Sequence, residues 1–94
     1  MPFAHEMRPY TKENILTLKP NQNGVYGIFR DTVAIYVGSG DLRERLLVHI
    51  NGDNPCIIGN NPNLWTGEVL SGDLTKREAE LIREYQPKCN RVMP

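Results

Sequence analysis

The stretch from Gly24 to Asn51 constrains this chain more than any other. Gly24 to Arg30 alternates as a strand does, with Val25, Gly27 and Phe29 on one face and Tyr26 and Ile28 on the other. Asp31-Thr32 is a tight connection. Val33 to Val37 is β-branched and carries Tyr36, so the spacing predicts a second, antiparallel strand. Gly38-Ser39-Gly40 frees the backbone for a sharp turn. Asp41 then opens a helix, with Glu44 at capping-box spacing. Leu42, Leu46 and Ile50 form its buried stripe, and Arg45 and His49 lie one turn apart along the edge of that stripe. Asn51-Gly52-Asp53-Asn54-Pro55 ends it.

The rest of the chain completes this unit. Met1 to Pro9 lacks periodicity and reads as a loose arm. Tyr10 to Leu18 suits a short helix capped by Thr11, with Ile15 and Leu18 turned inward. Cys56-Ile57-Ile58 fits a helical turn or an extended piece equally well. Leu64 to Leu70 is a third strand, in which Gly67 marks a bulge or a close approach. Thr75 to Tyr85 is the second main helix, stopped by Pro87, with Arg91 to Pro94 as a short tail.

Glu78 stands out on that second helix. It falls in the middle of the sector formed by Leu74, Leu81, Ile82 and Tyr85, where a carboxylate is costly without a partner. Glu80, Glu84, Lys76, Arg77 and Arg83 take the solvent side. The plain structural explanation is a capping box, Thr75-x-x-Glu78.

With 94 residues and a hydrophobic share of 39%, the chain is expected to form one small domain with a modest core, about 24–90, preceded by an arm and short helix over 1–23. No apolar run suits a membrane span, and Met1 to Pro20 lacks the apolar region of a secretory signal, so a cytoplasmic protein is expected. Cys56 and Cys89 lack zinc-site spacing and read as two reduced thiols. Basic and acidic residues balance at 11 each, which speaks against a tight autonomous nucleic-acid binder but not against a local basic patch.

The order of Gly-Val-Tyr strand, Tyr-Val-Gly strand, Asp-Leu-Arg-Glu-Arg-Leu helix, third strand, Glu78 helix and Pro-Lys-Cys-Asn resembles the GIY-YIG nuclease domain from about Gly24 to Asn90. The likeness is greatest to small stand-alone bacterial members. It implies an α/β fold, a small three-stranded mixed or antiparallel sheet flanked by helices. Tyr26 and Tyr36 match the two motif tyrosines, and Arg45 the arginine of the first helix, in preference to Arg43, which faces away. His49 matches a histidine that homing-type members carry one turn later, Glu78 the metal-binding glutamate and Asn90 the late asparagine. Ser39 stands where repair-type members often have lysine.

The resemblance implies a metal-dependent endonuclease acting on nucleic acid, with DNA the first candidate. Glu78 would hold one divalent cation, Mg²⁺ or Mn²⁺, since Mg²⁺ keeps several waters and takes further ligands from phosphate. Arg45 would stabilise the transition state and Tyr26 would act as general base, its phenol lowered by the metal and arginine. Tyr36 and His49 would support proton transfer or bind phosphate, and Asn90 would hold the site together. The alternative is a nucleic-acid-binding module that keeps the fold without catalysis, or one that works only as a homodimer or with a protein partner.

Overall fold

The structure is a computed structural model, and it describes residues 2–90; Met1 and the tail at 91–94 lie outside the described residues. In chain order the elements are β1 (Arg8–Pro9), α1 (Lys12–Ile15), β2 (Asn23–Arg30), β3 (Val33–Asp41), α2 (Leu42–Ile50), α3 (Pro55–Gly59), β4 (Leu64–Val69) and α4 (Thr75–Tyr85). Every strand pairing is antiparallel, and the order across the sheet is β1-β4-β2-β3. The sheet thus has four strands rather than three. The addition is β1, whose Arg8 and Pro9 pair with Trp65 and Leu64. A two-residue strand containing proline carries no alternation that a sequence reading can detect.

Alternation in β2 decides the layers. Tyr26 and Ile28 point into a core with Ile15, Ile35, Leu42, Leu46, Ile57 and Trp65. Val25 points to the opposite face, where it meets Val37 and Leu81, with Phe3, Leu74, Ile82 and Tyr85 packed around them. Helices α1, α2 and α3 therefore contribute to the first face and α4 to the second. Gly24 lies where β4 presses closest: a Cβ there would sit 1.9 Å from the Glu68 carbonyl oxygen. No bulge occurs at Gly67, because β2 and β4 stay in register from Gly24–Val69 to Phe29–Leu64. The shift falls instead between β2 and β3, between Ile28 and Phe29.

Several expectations change. The Gly38-Ser39-Gly40 segment is not a turn outside the sheet, since β3 runs on to Asp41 and pairs Gly38 with Tyr26 and Gly40 with Gly24. Residues 2–9 are not a loose arm. Phe3 stacks edge-on against Phe29 and tilts over Tyr85, and the Ala4 N–H donates to Glu68 Oε2. Arg77 does not point to solvent: its guanidinium pairs with Glu68 at 2.7 Å and also donates to the Pro2 carbonyl. Cys56-Ile57-Ile58 belongs to helix α3, capped by Asn54 with Pro55 at its start. No helix among the described residues is long and apolar enough to cross a membrane.

The cysteines overturn the reduced-thiol reading. Cys56 on α3 and Cys89 beyond α4 form a disulfide, with Cα atoms 5.8 Å apart. The fold brings together residues separated by 33 positions, a proximity no local spacing reveals. The bond anchors the C-terminal segment, whose Cys89 N–H donates to the Ile35 carbonyl at 2.7 Å and lies against the outer edge of β3. Closing a loop of this length removes unfolded-state entropy equivalent to about 3–4 kcal/mol. Reduction is expected to lower the melting temperature by more than about 10 °C, and to leave a Cys56→Ser/Cys89→Ser double variant unchanged. Equal melting temperatures with and without reductant in the unaltered protein would contradict this.

Candidate active site around the free edge of the sheet

Among the described residues strand β3 has no partner strand on its outer side, and the residues singled out by sequence gather around it from both faces. Gly38 is the pivot. A Cβ there would lie 2.4 Å from the Tyr26 hydroxyl and 2.9 Å from Tyr36 Cε2, so only glycine lets both tyrosines close over the strand. Tyr26 is almost wholly buried at 1% exposure, and its ring centroid lies 6.2 Å from that of Tyr36.

Helix α2 adds the next layer. Asp41 caps it by accepting the Glu44 N–H, which fixes where its faces point. Arg45 lays its stem over Gly40, 3.2 Å from where a Cβ would be, and its guanidinium engages the Tyr26 hydroxyl. Arg43 lies beside Pro20, Asn21 and Leu47, away from the tyrosines. His49 is not at the edge of the stripe but inside it, 2% exposed. Its Nε2 lies 2.7 Å from the Tyr26 hydroxyl and its Nδ1 lies 2.9 Å from Asp53 Oδ1. Sequence reading took Asp53 only as part of the helix stop. Its i, i+4 spacing from His49 was the available signal.

Glu78 approaches from the other face. The capping-box explanation fails: the residue at the cap position of α4 is Leu74, and Thr75 makes no side-chain bond to the Glu78 backbone. The first turn is held instead by Asp73 Oδ1, which accepts the Thr75 N–H. The Glu78 carboxylate turns toward β3, where the Ser39 hydroxyl lies 3.1 Å from Oε2 and 3.3 Å from Oε1. Ser39 is the site residue sequence reasoning left without a role, its partner being 39 positions away.

Asn90 closes the arrangement. Its Oδ1 accepts the Val37 N–H and its Nδ2 donates to the Val37 carbonyl, both at 2.7 Å. These two bonds satisfy backbone groups that an edge strand would otherwise present to solvent. Asn90 thereby holds the strand that carries Tyr36, Gly38 and Ser39.

Electrostatics distinguish these groups. Burial pushes the Tyr26 phenol well above its ordinary value, and a neighbouring charge on Tyr36 would raise it further. The Arg45 guanidinium pulls it down without cancelling the burial. The expectation that arginine brings this phenol down is therefore outweighed by burial among the protein's own groups. Burial also raises Tyr36, helped by the Glu78 charge, so the carboxylate is felt on the tyrosine side of the strand.

A carboxylate held by one hydroxyl, with no group of three or more His, Cys, Asp or Glu side chains suited to a metal among the described residues, does not make a closed protein cage. It does suit a cation such as Mg²⁺, which takes one or two carboxylates and fills the remaining positions with water and substrate phosphate.

At 30% identity over 88% of this chain and the whole of the solved domain, the chain belongs to the GIY-YIG endonuclease domain family. It is similar to the GIY-YIG N-terminal endonuclease domain of UvrC from Thermotoga maritima bound to its catalytic divalent cation, magnesium, with 30% identity and a TM-score of 0.70 over 87% of this chain and 100% of that one. Two point mutants of the same domain, one asparagine to alanine and one tyrosine to phenylalanine, both bound to the catalytic divalent cation, match with 30% identity and a TM-score of 0.70 over 88% of this chain and 100% of theirs. No protein-family model and no curated protein matches the sequence.

The buried phenols make stability fall in alkali. Tyr10 is pushed up to about 12 by burial and the Asp53 charge, and Tyr26 and Tyr36 are also raised. Above the ordinary 10.0 these phenols ionise in the unfolded chain while the folded chain keeps them neutral. Their contribution is complete below pH 10.0 and is lost as pH climbs towards about 12. Urea unfolding at pH 9 and pH 11 is expected to show lower stability at pH 11, with a smaller difference in Tyr26→Phe. Equal stability at the two pH values would contradict the burial of these hydroxyls.

Proposed function

We propose that this protein is a metal-dependent endonuclease that hydrolyses phosphodiester bonds in DNA, acting as one domain whose working core is residues 24–90. The observation that carries this reading is the 2.7 Å contact between the Tyr26 hydroxyl and His49 Nε2, beside Arg45 and across the strand edge from Glu78. A buried phenol with a raised pKa is a poor base by itself. With a hydrogen-bonded imidazole beside it, Tyr26 can take a proton from the attacking water while handing its own to His49, so no free phenolate accumulates.

Arg45 presents the planar fork of donors that suits the charge developing on a phosphoryl group. Tyr36 packs its ring edge-on against His49, with centroids 5.1 Å apart, and would support the proton transfer or bind phosphate. Glu78 would hold Mg²⁺ or Mn²⁺, with Ser39 orienting its carboxylate. When bound, the cation would supply charge neutralisation for the phosphoryl oxygens and the leaving oxygen. Asn90 acts at one remove, by holding β3. A cytoplasmic location is part of this proposal, and there the reducing thiol pool would hold Cys56 and Cys89 as thiols unless the fold protects their disulfide.

The test is cleavage of plasmid, branched and single-stranded DNA with Mg²⁺ or Mn²⁺. Activity is expected to require the metal and to fall at least about 100-fold in Glu78→Ala and in Arg45→Ala, with both variants folded. A folded protein that binds these substrates yet cleaves none of them would replace this reading with a non-catalytic binding module.

A further inference from the structure

We propose that Asp53 is a positioning residue: by accepting the His49 Nδ1–H, it fixes the imidazole in the one tautomer whose Nε2 can take the Tyr26 proton. This rests on the nuclease reading above for its functional consequence, though the tautomer itself does not.

The placement of Asp53 is built into the helix end. Asn51 caps α2, its N–H donating to the Leu47 carbonyl, and the Gly52 N–H donates to the His49 carbonyl at 3.0 Å. Gly52 has φ 96°, a conformation that side-chain-bearing residues rarely adopt, and a Cβ there would also crowd Ile58 at 3.2 Å. That left-handed residue reverses the chain, so Asp53 comes back along the helix to reach the histidine four positions earlier. The side chain of Asp53 is 34% exposed and that of His49 only 2%. The carboxylate therefore spans from solvent to a buried ring.

Acceptor and donor chemistry selects the tautomer. A neutral imidazole carries one N–H and one lone pair. With the proton on Nδ1, the ring donates to Asp53 and its Nε2 accepts the Tyr26 hydroxyl, and both bonds are made. With the proton on Nε2, the Nδ1 lone pair would face a carboxylate that only accepts, at a ring that is itself buried. The other groups near the ring or its partners are Tyr36 on β3, Arg45 one turn earlier on α2, and Tyr10 ahead of α1, which lines the same cavity as His49 and feels the Asp53 charge. Tyr36 meets the ring edge-on, and Arg45 engages Tyr26 rather than Nδ1.

Protons balance along this path. The attacking water loses a proton to Tyr26 Oη as its oxygen bonds phosphorus, while the bond from phosphorus to the leaving ester oxygen breaks and that oxygen takes a proton from solvent. The Tyr26 proton passes to His49 Nε2. The Nδ1 proton stays on the ring, and the Asp53 carboxylate faces the imidazolium so formed, which later releases its extra proton to solvent.

The experiment combines ring-nitrogen NMR with kinetics. In ¹⁵N-labelled protein with a neutral His49, the spectrum is expected to show Nδ1 protonated and Nε2 as a bare acceptor. Asp53→Asn, whose amide can donate as well as accept, is expected to bring in the other tautomer. The same variant is expected to lower kcat about 10- to 100-fold, part of what a positioned acid–base group supplies, with KM and the Mg²⁺ dependence unchanged. In a His49→Ala background, Asp53→Asn should have no further effect on kcat.

A proton on Nε2 in the unaltered protein overturns the proposal, as does an Asp53→Asn variant with both tautomer and kcat unchanged. Should the unaltered protein cleave nothing, the nuclease reading fails, and the nitrogen spectra alone still uphold or overturn the tautomer selected by Asp53.

Discussion

Asn90 grips the backbone of Val37 through both of its amide atoms, and the arrangement of the site depends on that grip. β3 is the last strand of the sheet, so its outer N–H and C=O groups face away from β2. An open edge is free to fray or to recruit another strand. Here the segment after α4 lies along it, with Cys89 bonded to the Ile35 carbonyl and tied through sulfur to α3. The same strand puts Tyr36 and Gly38 on one face and Ser39 on the other. A loose edge would let the tyrosines and the glutamate drift apart together.

This explains how groups on opposite faces of a sheet can serve one site. Tyr26, Tyr36, Arg45 and His49 occupy the face covered by α2, whereas Glu78 comes from α4 on the reverse. Glu78 reaches the β3 edge through Ser39, and from there its charge acts on Tyr36 and Tyr26. Tyr26 is buried on β2, the neighbouring strand, and reaches the edge because Gly38 leaves room for its hydroxyl. Burial gives this phenol a fixed position and a raised pKa at once. On the proposed nuclease reading, the second effect calls for a proton acceptor such as His49.

The sequence made the local layers of this arrangement readable. Strand alternation put Tyr26 and Ile28 opposite Val25 and Phe29, and helical spacing put Leu42 and Leu46 inward, because both periods are set by backbone geometry. Glu78 was legible as an anomaly, and the failure of its capping-box explanation strengthens the case for the site. What escaped was non-local. Phe3 needs Phe29 and Tyr85 to explain it, Cys56 needs Cys89, and Ser39 needs Glu78. Asp53 escaped for a different reason: next to Asn51 and Gly52 it looks like turn chemistry, and only the buried ring of His49 reveals its second use.

The central claim is that the Glu78 carboxylate, reached around the β3 edge, is the cation ligand of the same site that contains Tyr26. Anomalous diffraction from crystals soaked in Mn²⁺ tests it most directly. The account predicts a manganese peak in coordination contact with Glu78, on the side facing Tyr26 and Arg45, that disappears in Glu78→Ala. A peak bound elsewhere, or a peak that survives the loss of Glu78, would contradict it.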